Sequence, residues 1–247
     1  MIPHGFRMIQ MHRSFTKIHA ALRNRQIDGR ISETVFTLEG IVRADRRKLL
    51  ASYKPKISAM EEMLPDGGVR LSLSIGSDPA AHPGNNSFLS SHLNDALAVG
   101  FKLMRCPRLA GFVNSDIREE WYAKTSVVST DIANKFGEVG RKIEAAGAGI
   151  AWIKSIGAIH AKCGEHWSEG LANAPTSKDN EIASAVAEWA DGDMVSTHVA
   201  YQNHWICTRD VAKGAGANSV FSAANRAWLE RDYGVKFISP EELGNLV

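Results

Sequence analysis

The chain is poor in the residues that staple or anchor a protein. Its three cysteines, Cys106, Cys163 and Cys207, lie far apart and form no CxxC pair. That spacing excludes a disulfide framework, argues against a zinc site and fits a reducing cytoplasm. No run reaches the roughly 18 apolar residues of a membrane span. The longest candidate, Ala145 to Ala161, is interrupted by Lys154 and by glycines. A signal-peptide pattern is also missing, because His12, Arg13 and Lys17 break any apolar stretch near the start. There is no internal repeat and no low-complexity tract. The glycine-rich Lys213-Gly-Ala-Gly-Ala-Asn218 lacks both the Gly-Lys-Ser/Thr ending of a P-loop and the GxGxxG spacing, so it reads as a flexible loop. Cys163-Gly-Glu-His166 has no second metal-ligand pair and reads as a loop as well.

What is present is the composition of a soluble globular protein. With 247 residues, 44% of them hydrophobic, the chain can bury a substantial core, as one large domain or as a domain with an insertion. The net charge of +2 hides an imbalance: residues 1–56 carry 12 Lys+Arg against 4 Asp+Glu, and the remainder 17 against 23. A basic first segment with an acidic remainder suits a polyanion bound across a metal site; a solvated helix surface gives the same count.

In chain order, helical spacing places Phe15, Ile18, His19 and Leu22 on one face of a helix over 11–25. Residues 31–36 read as a strand, Thr37 as an N-cap, and 38–53 as a helix with Glu39 in its first turn. Pro65-Asp66-Gly67-Gly68 marks a hairpin between 57–64 and 69–75. A loop comes next over 77–87, then a helix over 88–104 stopped by Pro107. Short helical spacing at 116–123 precedes 130–145 and 149–162, which read as one long or two consecutive helices interrupted by Gly147 and Gly149, and a loop over 164–178. The chain is then helical from Asp179 to about Asn203, with a kink expected at Gly192. Residues 205–208 read as a buried strand with Trp205 in the core, 211–219 as a loop and 222–232 as a helix. Residues 235–238 form the last strand, and a closing helix starts at Pro240. This alternation predicts an α/β fold with the strands 31–36, 205–208 and 235–238 in one largely parallel sheet.

The candidate chemistry lies around the strand that ends in Thr208-Arg209-Asp210. In open parallel sheets, sites form at the C-terminal strand ends. Glu188, Asp191 and Asp193 cluster just upstream, at the expected break before Met194 to Gln202. Capping of a helix start explains Asp191 and Asp193 alone, but not a further acid 17 residues beyond Asp193. Carboxylates that converge repel one another unless a cation sits between them, and an all-oxygen donor set favours Mg²⁺ or Mn²⁺.

The segments Asp193-Met-Val-Ser-Thr-His-Val-Ala200, Ile206-Cys-Thr-Arg-Asp210 and Tyr233-Gly-Val-Lys-Phe-Ile-Ser-Pro-Glu-Glu-Leu243 resemble the C-terminal half of a PIN domain. Ser32-Glu-Thr-Val-Phe-Thr-Leu-Glu39-Gly-Ile resembles that family's second strand and the helix bearing its next acid. The resemblance covers about 20–55 and 183–247. It implies a single PIN-like three-layer domain over 1–247, with a mainly parallel central sheet and a long insertion of hairpin and helices over 56–180. It further implies Glu39, Asp193 and Asp210 as catalytic metal ligands, with Asp191 competing for the middle place, and Mg²⁺ or Mn²⁺ as cofactor. Such a site hydrolyses a phosphodiester, most simply in RNA or another single-stranded nucleic acid. Thr208 would orient Asp210 or a water, Lys213, Asn218 and Ser219 would contact phosphate, and Arg209 would do so or pair with an acid. A cytoplasmic ribonuclease of the toxin–antitoxin kind would have an antitoxin-like protein and a second copy as partners, with no membrane. The family's usual first strand, ending in a metal-binding Asp, has no counterpart before Arg13. Truncation, replacement by another acid, or an incomplete site each account for this. Truncation is favoured, because a helix such as 11–25 comes directly after that strand in the family. The alternative is a non-catalytic PIN-like module that binds nucleic acid or protein.

Overall fold

The computed structural model describes residues 4–52, 56–76, 87–108, 117–212 and 216–247. Helix α1 (His4–Arg23) leads into strand β1 (Arg30–Ser32), the single turn α2 (Thr34–Thr37) and, after a 3-10 turn, α3 (Arg46–Ser52). The hairpin β2 (Lys56–Met63) and β3 (Val69–Gly76) comes next, then α4 (Ser87–Val99) and β4 (Lys102–Met104). Helices α5 (Ser129–Ala145), α6 (Ile150–His160), α7 (Trp167–Asn173) and α8 (Asp179–Ala200) form the helical body. The chain ends with β5 (Ile206–Cys207), α9 (Ala223–Tyr233), β6 (Phe237–Ile238) and α10 (Pro240–Leu246).

Helix α8 is the centre of the molecule. It packs on α3, α5 and α6. Its buried residues include Ile182, Ala185, Val186, Trp189 and Val195, so it is apolar on several sides, as an interior helix must be. Two apolar clusters meet along it. One joins Leu38, Leu50, Ile153 and Leu171 to its first half; the other joins Val139, Ile143, Ile206, Val220 and Leu229 to its second half. Helix α5 shows why its sequence is helical: Ile132, Phe136, Val139 and Ile143 recur every three or four residues and make one buried stripe. Burying each of these side chains stabilises the fold by roughly 1.5–3 kcal/mol.

Helices α6 and α7 cross backbone to backbone. A Cβ added at Gly170 would lie 2.0 Å from the Gly157 carbonyl oxygen and 2.6 Å from the Ala161 nitrogen. Alanine normally favours a helix by about 1 kcal/mol over glycine, but here it would wedge two buried backbones apart. We expect Gly170→Ala to lower stability by about 1–3 kcal/mol in urea unfolding. A variant as stable as the parent would show that the helices do not cross this closely.

The structure corrects several sequence expectations. The strand expected over 31–36 stops at Ser32, because Thr34 turns the chain into α2, and Thr37 is the last residue of that turn and not an N-cap. The helix expected over 38–53 begins only at Arg46. The end of the expected helix 88–104 is strand β4, which pairs in parallel with β1. The loop expected over 164–178 contains α7, whose start His166 and Glu169 close as a capping box. Within the described part of 116–123 only a 3-10 turn forms, Glu119–Trp121. The loop 77–86 lies outside the described residues.

The single parallel sheet is also corrected. Strand β1 pairs with β4, and β5 pairs with β6; both pairs are parallel, but they are separate two-stranded sheets. Among the described residues no strand joins them. The hairpin forms its expected antiparallel register, with Met63 opposite Val69 and Lys56 opposite Gly76. The fold is thus mixed α/β, largely helical, with short parallel pairs. No helix among the described residues is long and apolar enough to cross a membrane.

Candidate functional site

Helix α8 runs unbroken from Asp179 to Ala200, straight through Gly192. A Cβ at Gly192 would lie 3.1 Å from the Gly149 Cα, so the glycine marks a close crossing with the segment that starts α6, not a helix break. The expected helix start at 191–193 therefore does not exist, and neither acid is a cap. On a continuous helix, residues two apart point about 200° away from each other, whereas residues three apart share a face. Glu188 and Asp191 accordingly face one way, and Asp193 the other.

Asp193 is buried and bound in a polar knot. Arg108 donates from Nε to Oδ2 at 2.7 Å and from Nη2 to Oδ1, making a two-pronged ion pair. The Trp189 indole donates to Oδ2 at 3.0 Å. Burial pushes this carboxyl up, against the pull of Arg108 and the indole. The adjoining cavity is about 20 Å³, room for one water and not for a substrate.

Asp191 meets different company. Burial raises its pKa, and the charges of Glu39, Glu188 and Asp210 raise it further, to about 8. These four acids come from the segment after α2, from α8 and from the loop after β5. Glu39 directly succeeds Leu38, the C-cap of α2. Its backbone is held by Arg46, which is buried and donates to the Glu39, Ile41 and Ala183 carbonyls at 2.8, 3.0 and 2.6 Å. Burial pushes the Glu39 carboxyl up, and the Arg46 charge draws it down. Glu188 is raised by burial first; it accepts from the Val220 N–H at 3.3 Å and from the Ser219 hydroxyl, and it also feels Asp210 and Glu39.

Asp210 is exposed and its loop is tightly turned. Its N–H donates to the Thr208 hydroxyl at 3.0 Å, and its Oδ1 accepts from the Ala212 N–H at 2.7 Å. Its carbonyl accepts from Arg226, whose Nε also holds the Phe221 carbonyl at 3.1 Å. Thr208 thus orients the backbone of Asp210. The strand before it is short and only half covered: Ile206 is buried, Cys207 is exposed, and Trp205, expected in the core, is 44% exposed.

The other expected contacts are distributed differently. Arg209 pairs with Glu241 at 2.6 Å and lies over the Phe15 ring, tying the loop to α10 and α1. Asn218 is exposed at the end of a 3-10 turn. Ser219 is fully buried and bonds Glu188 and the Phe221 N–H, so it holds the loop and does not face solvent. Lys213 lies outside the described residues. Sequence reasoning grouped Glu188 with Asp191 and Asp193 but left it out of the ligand set, although its spacing of three from Asp191 puts the two on one face once the helix is unbroken. It also missed the positioning arginines Arg46 and Arg226, which no local pattern marks.

The donor set around Asp191 is all carboxylate oxygen, which suits a hard divalent cation. Among the described residues, however, no three of His, Cys, Asp and Glu are grouped closely enough to hold one ion between them. Comparison with family models, with curated proteins and with solved structures finds no match for this chain.

A second titratable group on α8 is separate from this cluster. His198 is 4% exposed, and burial, helped by the charge of His204, lowers its pKa from 6.5 to about 4. The unfolded chain takes up this proton below about pH 6.5 and the native protein only near pH 4. The contribution of His198 is therefore full above pH 6.5 and is lost as pH falls through that window, by about 3 kcal/mol. We expect His198→Gln to flatten this part of the stability–pH profile in urea titrations. An unchanged acid limb would place the loss elsewhere.

Proposed function

We propose that this chain is a divalent-metal-dependent, PIN-like nuclease that cleaves RNA in the cytoplasm. The observation that carries this reading is the convergence on Asp191 of charge from Glu188, one turn away on the same helix, and from Glu39 and Asp210 on two other segments. Acids gathered in this way destabilise an empty site and are compensated by a cation. The pairs β1–β4 and β5–β6 share only parallel pairing with a PIN-like arrangement, since they form two separate sheets. Asp191, Glu39 and Asp210 are the candidate ligands, and they would have to draw together to hold the ion, because no such group is close enough in this structure among the described residues. Asp191 replaces Asp193 as the middle acid, since Asp193 is committed to Arg108.

When bound, Mg²⁺ or Mn²⁺ supplies charge neutralisation at a phosphodiester and lowers the pKa of a water. The chain supplies the rest. Arg46 fixes the backbone that carries Glu39, and Arg226 with Thr208 fixes the backbone that carries Asp210. Glu188 anchors the loop beneath through Val220 and Ser219.

The test is thermal melting with and without Mn²⁺, together with cleavage of single-stranded RNA. Metal-dependent cleavage and a rise in melting temperature with Mn²⁺ are expected. Cleavage that does not need the metal would overturn the reading. If Mn²⁺ moves neither signal, the second reading holds: a non-catalytic PIN-like module that binds nucleic acid or protein. The wide spacing of the acids favours that reading.

A further inference from the structure

The β2–β3 hairpin stands apart from the body. Every residue from Ile57 to Met63 and from Val69 to Leu73 is exposed, and among the described residues no other element packs broadly against it. Directly opposed residues of an antiparallel pair share a face. Ala59 faces Leu73, Glu61 faces Leu71 and Met63 faces Val69. One face therefore carries Ile57, Met63, Val69, Leu71 and Leu73, each 60% to 72% exposed, with Glu61 as its one charge. The other face is polar apart from Met60, with Arg70 and Glu62 joined at 3.1 Å. A lone two-stranded hairpin is marginal in water and gains stability only when its apolar face is covered.

We infer that this face is the contact between two copies of the chain, hairpin against hairpin about a two-fold axis. Size and composition point to a second copy. The five apolar side chains expose on the order of 500 Å² per copy, or about 1,000 Å² for a pair, which reaches the lower bound of a specific interface. A face with a single charge has no charge pattern by which to select a different protein. It is complementary to itself, because apolar area meets apolar area across an isologous contact. The residues that make the face lie outside both core clusters, so the contact forms between folded chains. Glu61 limits its strength, since pairing strips water from a carboxylate.

Analytical ultracentrifugation of the full chain, from about 1 to 100 µM, tests this. A species of twice the 27.0 kDa chain mass is expected to accumulate with concentration. Leu71→Lys with Leu73→Lys should weaken dimerisation at least about 100-fold, with the circular dichroism spectrum unchanged. Should that variant fail to fold, Glu61→Leu gives an independent reading, because it should tighten the dimer at least about tenfold. A parent protein that is monomeric throughout, a folded double-lysine variant that still dimerises, or a Glu61→Leu variant of unchanged affinity would each overturn the inference.

Discussion

Asp210→Asn is expected to reduce metal-dependent RNA cleavage by at least about 100-fold, because it removes several kcal/mol of charge stabilisation from the site. Asparagine retains the shape and an oxygen for the Ala212 N–H. The bonds from Asp210 to Thr208 and Arg226 run through its backbone. Only the charge is lost, so the metal-free melting temperature should stay within a few degrees of the parent. Asp191→Asn makes a complementary case. The folded pKa of Asp191 is raised from 3.8 to about 8. Its contribution to stability is therefore full below about pH 4 and is lost as pH rises towards 8. Asparagine cannot ionise, so the variant should melt above the metal-free parent at pH 8 and close to it at pH 4, while losing its response to Mn²⁺. An Asp210→Asn protein as active as the parent, or an Asp191→Asn protein that melts lower at pH 8, would remove the site from the chemistry.

Arg108→Met is expected to destabilise the protein by about 3–5 kcal/mol at pH 7, the usual result of stripping one partner from a buried ion pair. At roughly 2–4 °C per kcal/mol for a chain of this size, the melting temperature should fall by about 10 °C. The cause is the uncompensated Asp193 carboxylate, which is 2% exposed and would keep only the Trp189 indole as a strong donor. Two controls separate charge from packing. The double variant Arg108→Met, Asp193→Asn should recover most of the loss, because no charge is then left buried. The single variant should also recover as pH falls, since protonating Asp193 removes the same charge. If the double variant is no more stable than the single one, the loss comes from packing around Arg108 and not from the pair.

These two acids show where reading the sequence succeeds and where it stops. Asp191 and Asp193 differ by one glycine in sequence, and either could cap a helix or hold a metal. Their roles separate only because α8 continues through Gly192, which a local reading takes for a break. The continuity comes from elsewhere: Gly149 crosses at that point, and a Cβ at Gly192 would leave too little room. Thr208-Arg209-Asp210 was legible as a turn after a strand, because its hydrogen bonds are local. Pairing of Arg209 with an acid was one of two readings, but that the acid is Glu241, 32 residues away, was not legible.

The sequence alone determined the local elements: the Asp66-Gly67 hairpin turn, the helices α5, α9 and α10, and the acid that comes after β5. Each depends on residues within one or two turns of one another, where propensity and hydrogen bonding decide the conformation. The tertiary structure alone decided which acids meet. It turned Asp193 inward to Arg108 and brought the charges of Glu39, Glu188 and Asp210 to bear on Asp191. It also joined β1 to β4 and left the hairpin's apolar face in solvent. These outcomes depend on the packing of α8 against elements as far as 156 residues away, and side-chain burial over such distances leaves no mark in the local pattern.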